Sequence, residues 1–160
     1  MISSKTNFSV LLLFALILNF GGLYLGSYWT TPGVTSDWYT SLDQAPWTPP
    51  GWVFGAAWTT IGITFSVFLA KVFNKYDLDP VFGILFVTSL FMNIGWNALF
   101  FGLQWTGLSG FVIIDLTLTI LLMLHLARVE WGWKVAAWAL PYFIWLCVAT
   151  SLNLYIYIQN

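Results

Sequence analysis

Four amide and carboxyl side chains stand inside apolar runs, where a polar group needs a partner or a cavity. Asn93 and Asn97 are one helical turn apart, Asp115 lies within VIIDLTL, and Asn153 follows the run beginning at Pro141. Hydrogen bonding between helices is one use for such groups, contributing about 0.6–2 kcal/mol each. That role is expected of Asn93 and Asn153. Asp115 is the one carboxylate well inside a run, roughly 10 Å from its start at 1.5 Å per residue. It is expected to be protonated, held by a hydrogen bond, or turned towards a ligand.

Large rings accompany these groups. Trp58, Trp96 and Trp145 sit several residues inside their runs, where an indole needs either a hydrogen-bond acceptor or a flat π-rich guest. Tyr142, Trp145, Ala149, Leu152 and Asn153 share one helical face, with the small Ala149 between larger neighbours. A large, planar, mostly apolar ligand with a polar edge suits such a box. The sequence shows no nucleophile–base pair, metal-ligand spacing or glycine-rich phosphate loop, so no catalytic residue, metal or cofactor is expected. The one histidine, His125, reads as interfacial. The one cysteine, Cys147, excludes an internal disulfide and reads as a small core residue.

The elements that must position these residues are membrane spans. Of 160 residues, 59% are hydrophobic and 7% charged, and mean hydropathy is +0.82. Water-facing domains carry about 25% charged residues, so the expectation is an all-α integral membrane protein. About 20 apolar residues cross a bilayer, and five segments qualify: about 8–28, 52–71, 81–101, 108–128 and 135–158. The first resembles a signal peptide at its start. It is expected to be retained, because its apolar run continues past Leu18 with no small-x-small site. With a net charge of −1 and no basic stripe, nucleic acid is not an expected partner.

Between the first two spans lies a loop, about 29–51, whose later part reads WYTSLDQAPWTPPGWVF from Trp38 to Phe54. Pro49 and Pro50 fix φ and remove backbone donors, and push the residues before them towards extended conformations. A stiff aromatic lid over a pocket between helices is expected. All five basic residues, Lys5, Lys71, Lys75, Arg128 and Lys134, fall on one side of a five-span chain. The positive-inside rule then makes the N-terminus cytoplasmic in a bacterial plasma membrane, with the lid and C-terminus opposite. Trp29, Trp131 and Trp133 suit interfacial belts. Gly55, Thr59, Gly62 and Ser66, and the pair Gly22 and Gly26, mark close helix approach, within the bundle or at a dimer seam.

Three stretches, in this order, resemble the tryptophan-rich sensory protein family, TspO/MBR, to which the mitochondrial translocator protein belongs. They are Trp38-Tyr39 with Trp47-Thr48-Pro49-Pro50-Gly51, then Asn93-Ile94-Gly95-Trp96 with Phe100-Phe101, and Pro141-Tyr142-Phe143-Ile144-Trp145 with Ala149-Thr150 and Leu152-Asn153. The resemblance spans nearly the whole chain. It implies a five-helix bundle, usually a homodimer, that binds porphyrins such as protoporphyrin IX beneath the first loop and acts in tetrapyrrole transport, sensing or disposal. The implied ligand-binding residues are Tyr39, Trp47, Pro49, Trp58, Asn97, Phe100, Asp115, Trp145, Ala149 and Leu152. Some bacterial members are similar enough to imply an alternative, light-dependent porphyrin degradation using residues matching Trp58 and Trp145. Gln44-Ala45 replaces the family's frequent lysine, removing a counter-ion for a propionate. Leu154–Gln159 lacks the basic residue of animal sterol motifs, so tight cholesterol binding is not expected.

Overall fold

The computed structural model describes residues 7–75 and 79–160. Lys5 lies outside the described residues, as does the side chain of Lys75, so their part in the orientation argument stays with the sequence. The helices are α1 (Phe8–Gly33), α2 (Asp37–Ser41), α3 (Gly51–Lys75), α4 (Pro80–Asn97), α5 (Thr106–Trp131), α6 (Trp133–Ala136) and α7 (Leu140–Gln159). Five helical segments are long and apolar enough to cross a bilayer, α6 and α7 together forming the last. No strand occurs among the described residues. The chain is a multi-pass, all-α membrane protein.

Local chemistry sets the helix ends. The side chain of Asn7 accepts from the Ser9 N–H, starting α1. The Asp79 carboxylate accepts from the N–H groups of Val81 and Phe82, and Pro80 occupies the first turn of α4, where its missing donor costs nothing. Ser36 caps α2 by accepting from the Tyr39 N–H at 3.2 Å. The chain leaves α5 through Gly132 at φ +75°, a left-handed conformation that glycine adopts without strain. A 3₁₀ turn, Ala137–Ala139, then leads to Pro141 in the first turn of α7.

The long helices form a ring in the order α1, α3, α7, α5, α4 and back to α1. Its core runs through Phe65 and Phe68 of α3, Phe82 of α4, Leu116, Ile120 and Met123 of α5, and Leu146 of α7. Gly22 and Gly26 lie against Leu90 and Asn97 of α4, where an added Cβ would come within 2.5 and 2.9 Å. This glycine pair is consumed inside the bundle and offers no seam to a second copy. Gly62 meets the Phe20 ring and Ser66 is fully buried. Gly55 and Thr59, placed on the same stripe by spacing, are exposed. Cys147 is exposed on α7 rather than packed in the core, one step along the helix from the buried Leu146.

At the end of α4 the backbone widens into a π-helical turn, Ala98–Gly102. The N–H of Leu103 reaches the carbonyl of Ala98 at 2.9 Å. Such turns commonly mark functional places in helices. Here the turn carries Phe100 into the interior, 3% exposed, with Phe101 at 4.9 Å between ring centroids.

Candidate ligand-binding site

The site is built by two facing helical stripes and a lid. On α3, Phe54 and Trp58 are one turn apart; on α7, Tyr142, Trp145, Ala149 and Leu152 form the inward stripe. The rings interlock edge to face. Phe54 meets Trp145 at 5.2 Å, and Trp58 meets Tyr142 at 6.1 Å. Each such pair contributes about 0.5–1.5 kcal/mol beyond its buried area. Trp145 is 8% exposed, and its Nε1–H is the one buried side-chain polar atom among the described residues with no hydrogen-bond partner. A buried donor left unmade costs about 1–3 kcal/mol, and this one lies in an aromatic interior beside Phe54.

The polar groups divide by role. Asn153 joins three helices: its Oδ1 accepts from Trp96 Nε1 at 2.9 Å and from the Ser109 hydroxyl at 3.0 Å, and its Nδ2 donates to the Thr106 carbonyl at 2.9 Å. Trp96 therefore has its acceptor within the protein, and its ring stacks on Phe100 at 5.3 Å. Asn93 Nδ2 donates to the Tyr142 hydroxyl at 3.2 Å. Asn97 Nδ2 donates to the Asn93 carbonyl at 2.9 Å, and its side-chain oxygen accepts from the Thr30 hydroxyl. At mid-depth a cavity of about 20 Å³ lies between α1, α3, α4 and α7, with Asn19, Trp58, Ser89, Asn93 and Tyr142 among its lining. That is room for about one water molecule.

The lid closes over this interior. Tyr39 packs on Phe100 and Phe101 at 6.4 and 5.5 Å, and Trp38 on Phe100 at 5.6 Å. Burial pushes the Tyr39 phenol above its ordinary pKa of 10.0. Asn160, at the end of α7, brackets the Asp43 backbone: its Oδ1 accepts from the Asp43 N–H at 2.9 Å and its Nδ2 donates to the Asp43 carbonyl at 3.3 Å. Trp47 Nε1 donates to the Ser151 hydroxyl at 3.1 Å, and its ring meets Tyr155 at 5.4 Å.

Among the residues expected at the site, Asn97, Phe100, Trp145, Ala149 and Leu152 are buried, Trp58 is half-buried and lines the cavity, and Tyr39 packs on Phe100. Pro49 is half-buried in the lid. Trp47 is 55% exposed and clamps the flank of α7 rather than facing the interior. Asp115 does not join the others; it is exposed. Ile113, Leu116, Ile120 and Met123 define the inward stripe of α5, and at 100° per residue Asp115 falls outside it. The depth along the helix was readable from hydropathy, whereas the azimuth depended on packing. Two contributors escaped sequence reading. Phe54 was read only as the end of the lid stretch, although it stands one turn from Trp58. Asn160 carries no signal in the sequence, since its bracket on Asp43 joins residues 117 positions apart.

A family model described as the TspO/MBR family matches residues 13–158. The chain is 34% identical over 138 residues to the tryptophan-rich protein TspO of Archaeoglobus fulgidus, covering 86% of this chain and 88% of that one. It is 40% identical over 129 residues to the protein of the same name from Chlorobaculum tepidum, covering 77% and 79%. It is also 31% identical to the translocator protein of Bos taurus over 146 residues, covering 88% and 83%.

Proposed function

Starting from a chain that belongs to the TspO/MBR family, we propose that it binds a porphyrin or similar planar macrocycle beneath its lid and acts in tetrapyrrole transport, sensing or disposal. The observation that carries this reading is the unpartnered Nε1–H of the buried Trp145, set edge to face with Phe54. A flat aromatic guest with an acceptor on its edge would satisfy the donor and stack on the surrounding rings. The mid-depth cavity of about 20 Å³ is far smaller than a macrocycle, so entry requires the lid to lift and α3 to part from α7. The same proposal places the protein in a bacterial plasma membrane with the lid opposite the cytoplasm, in keeping with Lys71, Arg128 and Lys134 lying at the other end. It also has two copies pairing, through surfaces other than Gly22 and Gly26.

Quenching of tryptophan fluorescence by protoporphyrin IX tests it, comparing wild type with Trp145→Phe. Phenylalanine keeps a ring and removes the donor, so affinity should fall about fivefold for one lost hydrogen bond. Undiminished affinity would remove Trp145 from the site. A second reading, light-dependent porphyrin breakdown, draws on Trp58 standing beside Tyr142, two oxidisable rings in contact. Illuminating the complex and following the Soret band separates the two readings, since simple binding leaves the band no less stable than in free porphyrin.

A further inference from the structure

At the end of the bundle away from the lid, α5 breaks at Gly132, and the segment Trp133–Ala139 docks against both α3 and α5. Two cations from those helices rest on indoles of this one segment. Lys71 Nζ of α3 lies 5.9 Å from the centroid of Trp138, and Arg128 Cζ of α5 lies 5.1 Å from that of Trp133. Lys134 sits on the same segment between the two indoles. Among the described residues no carboxylate comes within the 4.0 Å ion-pair distance of Lys71, Arg128 or Lys134, although Glu130 is two positions from Arg128 in sequence. Trp133 and Trp138 are 52% and 38% exposed.

We infer that this segment and the cations against it form a binding surface for the phosphate of an anionic phospholipid head group. The chemistry follows from depth. Exposed indoles at a helix end settle at the level of the lipid head groups, so cations held over them are presented to phosphates rather than to acyl chains. A cation over an indole face keeps most of its charge available while part of its conformational freedom is already removed. Arg128 offers a planar fork suited to two phosphate oxygens, and Lys71 and Lys134 add point charges. Among the described residues no carboxylate pairs with them, so their charge is available to an anion. A zwitterionic head group would bring its own ammonium into the same basic patch, which favours a head group of net negative charge such as phosphatidylglycerol.

The test uses the full chain purified in uncharged detergent, where the role of these cations in setting membrane orientation no longer matters. Short-chain phosphatidylglycerol, phosphatidylcholine and inorganic phosphate are titrated separately, with thermal shift and native mass spectrometry as readouts. Phosphatidylglycerol should stabilise the wild type and remain bound in the mass spectrum, whereas phosphatidylcholine and free phosphate do neither. Arg128→Gln and Lys71→Gln should each weaken phosphatidylglycerol binding about fivefold, from about 1 kcal/mol per cation near a surface. The conservative Arg128→Lys should retain part of the binding, and Trp133→Leu should weaken it with all charges kept. The inference is overturned if phosphatidylcholine or phosphate matches phosphatidylglycerol. It is equally overturned if the glutamine variants, folded by circular dichroism, bind phosphatidylglycerol as the wild type does.

Discussion

At the scale of single residues, buried polar groups decide what the interior can do, and two of them make opposite predictions. Trp145 holds an unmade donor, so Trp145→Phe should leave the melting temperature of the ligand-free protein unchanged or slightly raised while lowering porphyrin affinity. Asn153 is fully used by Trp96, Ser109 and Thr106. Asn153→Leu orphans the Trp96 donor, while the Ser109 hydroxyl keeps the Thr106 carbonyl at 2.9 Å, and should cost about 2 kcal/mol, seen as a lower midpoint in thermal unfolding. Tyr39 adds a pH dependence. Burial raises its pKa above 10.0, so the folded state favours the neutral phenol. Its contribution is complete below about pH 10 and is lost as pH rises through the higher folded value. Tyr39→Phe should flatten that alkaline loss in a stability–pH curve. The sequence made the amides legible, because a polar side chain in an apolar run announces itself. It left Asp115 ambiguous, because only packing decides which side of a helix faces its neighbours.

At the scale of elements, hydropathy found the five spans and missed their ends. Hydropathy ends the first span near residue 28, yet α1 continues to Gly33: Thr30 binds back to the Gly26 carbonyl at 3.2 Å and to Asn97. Hydropathy makes the third span one continuous helix to about residue 101, whereas Ala98–Gly102 is a π-helical turn. No local composition signals that insertion, which exists to seat Phe100 and Phe101 against the lid. Helix α2 did carry a signal in Ser36-Asp37, a capping residue followed by an acid in the first turn. Glycine contacts give a paired test. Gly33→Ala drives a Cβ to within 2.5–2.8 Å of the Phe101 ring and should destabilise by about 1–3 kcal/mol. Gly55→Ala meets nothing within 4 Å and should be neutral or stabilising by up to about 1 kcal/mol. Thermal melts of both variants in one detergent check the contrast.

At the scale of the whole molecule, a ring of five spans is closed at one end by a lid bound to its last helix. The Asn160 bracket on Asp43 and the Trp47–Ser151 bond hold the lid shut by a few weak bonds at an exposed edge. Asn160→Ala should speed amide hydrogen exchange across residues 42–48 by roughly three- to tenfold and raise the association rate of protoporphyrin IX, with exchange in the buried part of α5 unchanged. The ring order was not legible in the sequence, since apolar helices of similar length fit many arrangements. It follows from glycines and aromatic rings that meet only in three dimensions. Because the hydrogen bonds that fasten the lid and the Trp145 donor all depend on α7, the proposed function would give arrival and residence of a guest one shared lever. A tilt of that rod would loosen the hatch and shift the indole donor together, so on that proposal capture speed and holding time are expected to change together in α7 variants.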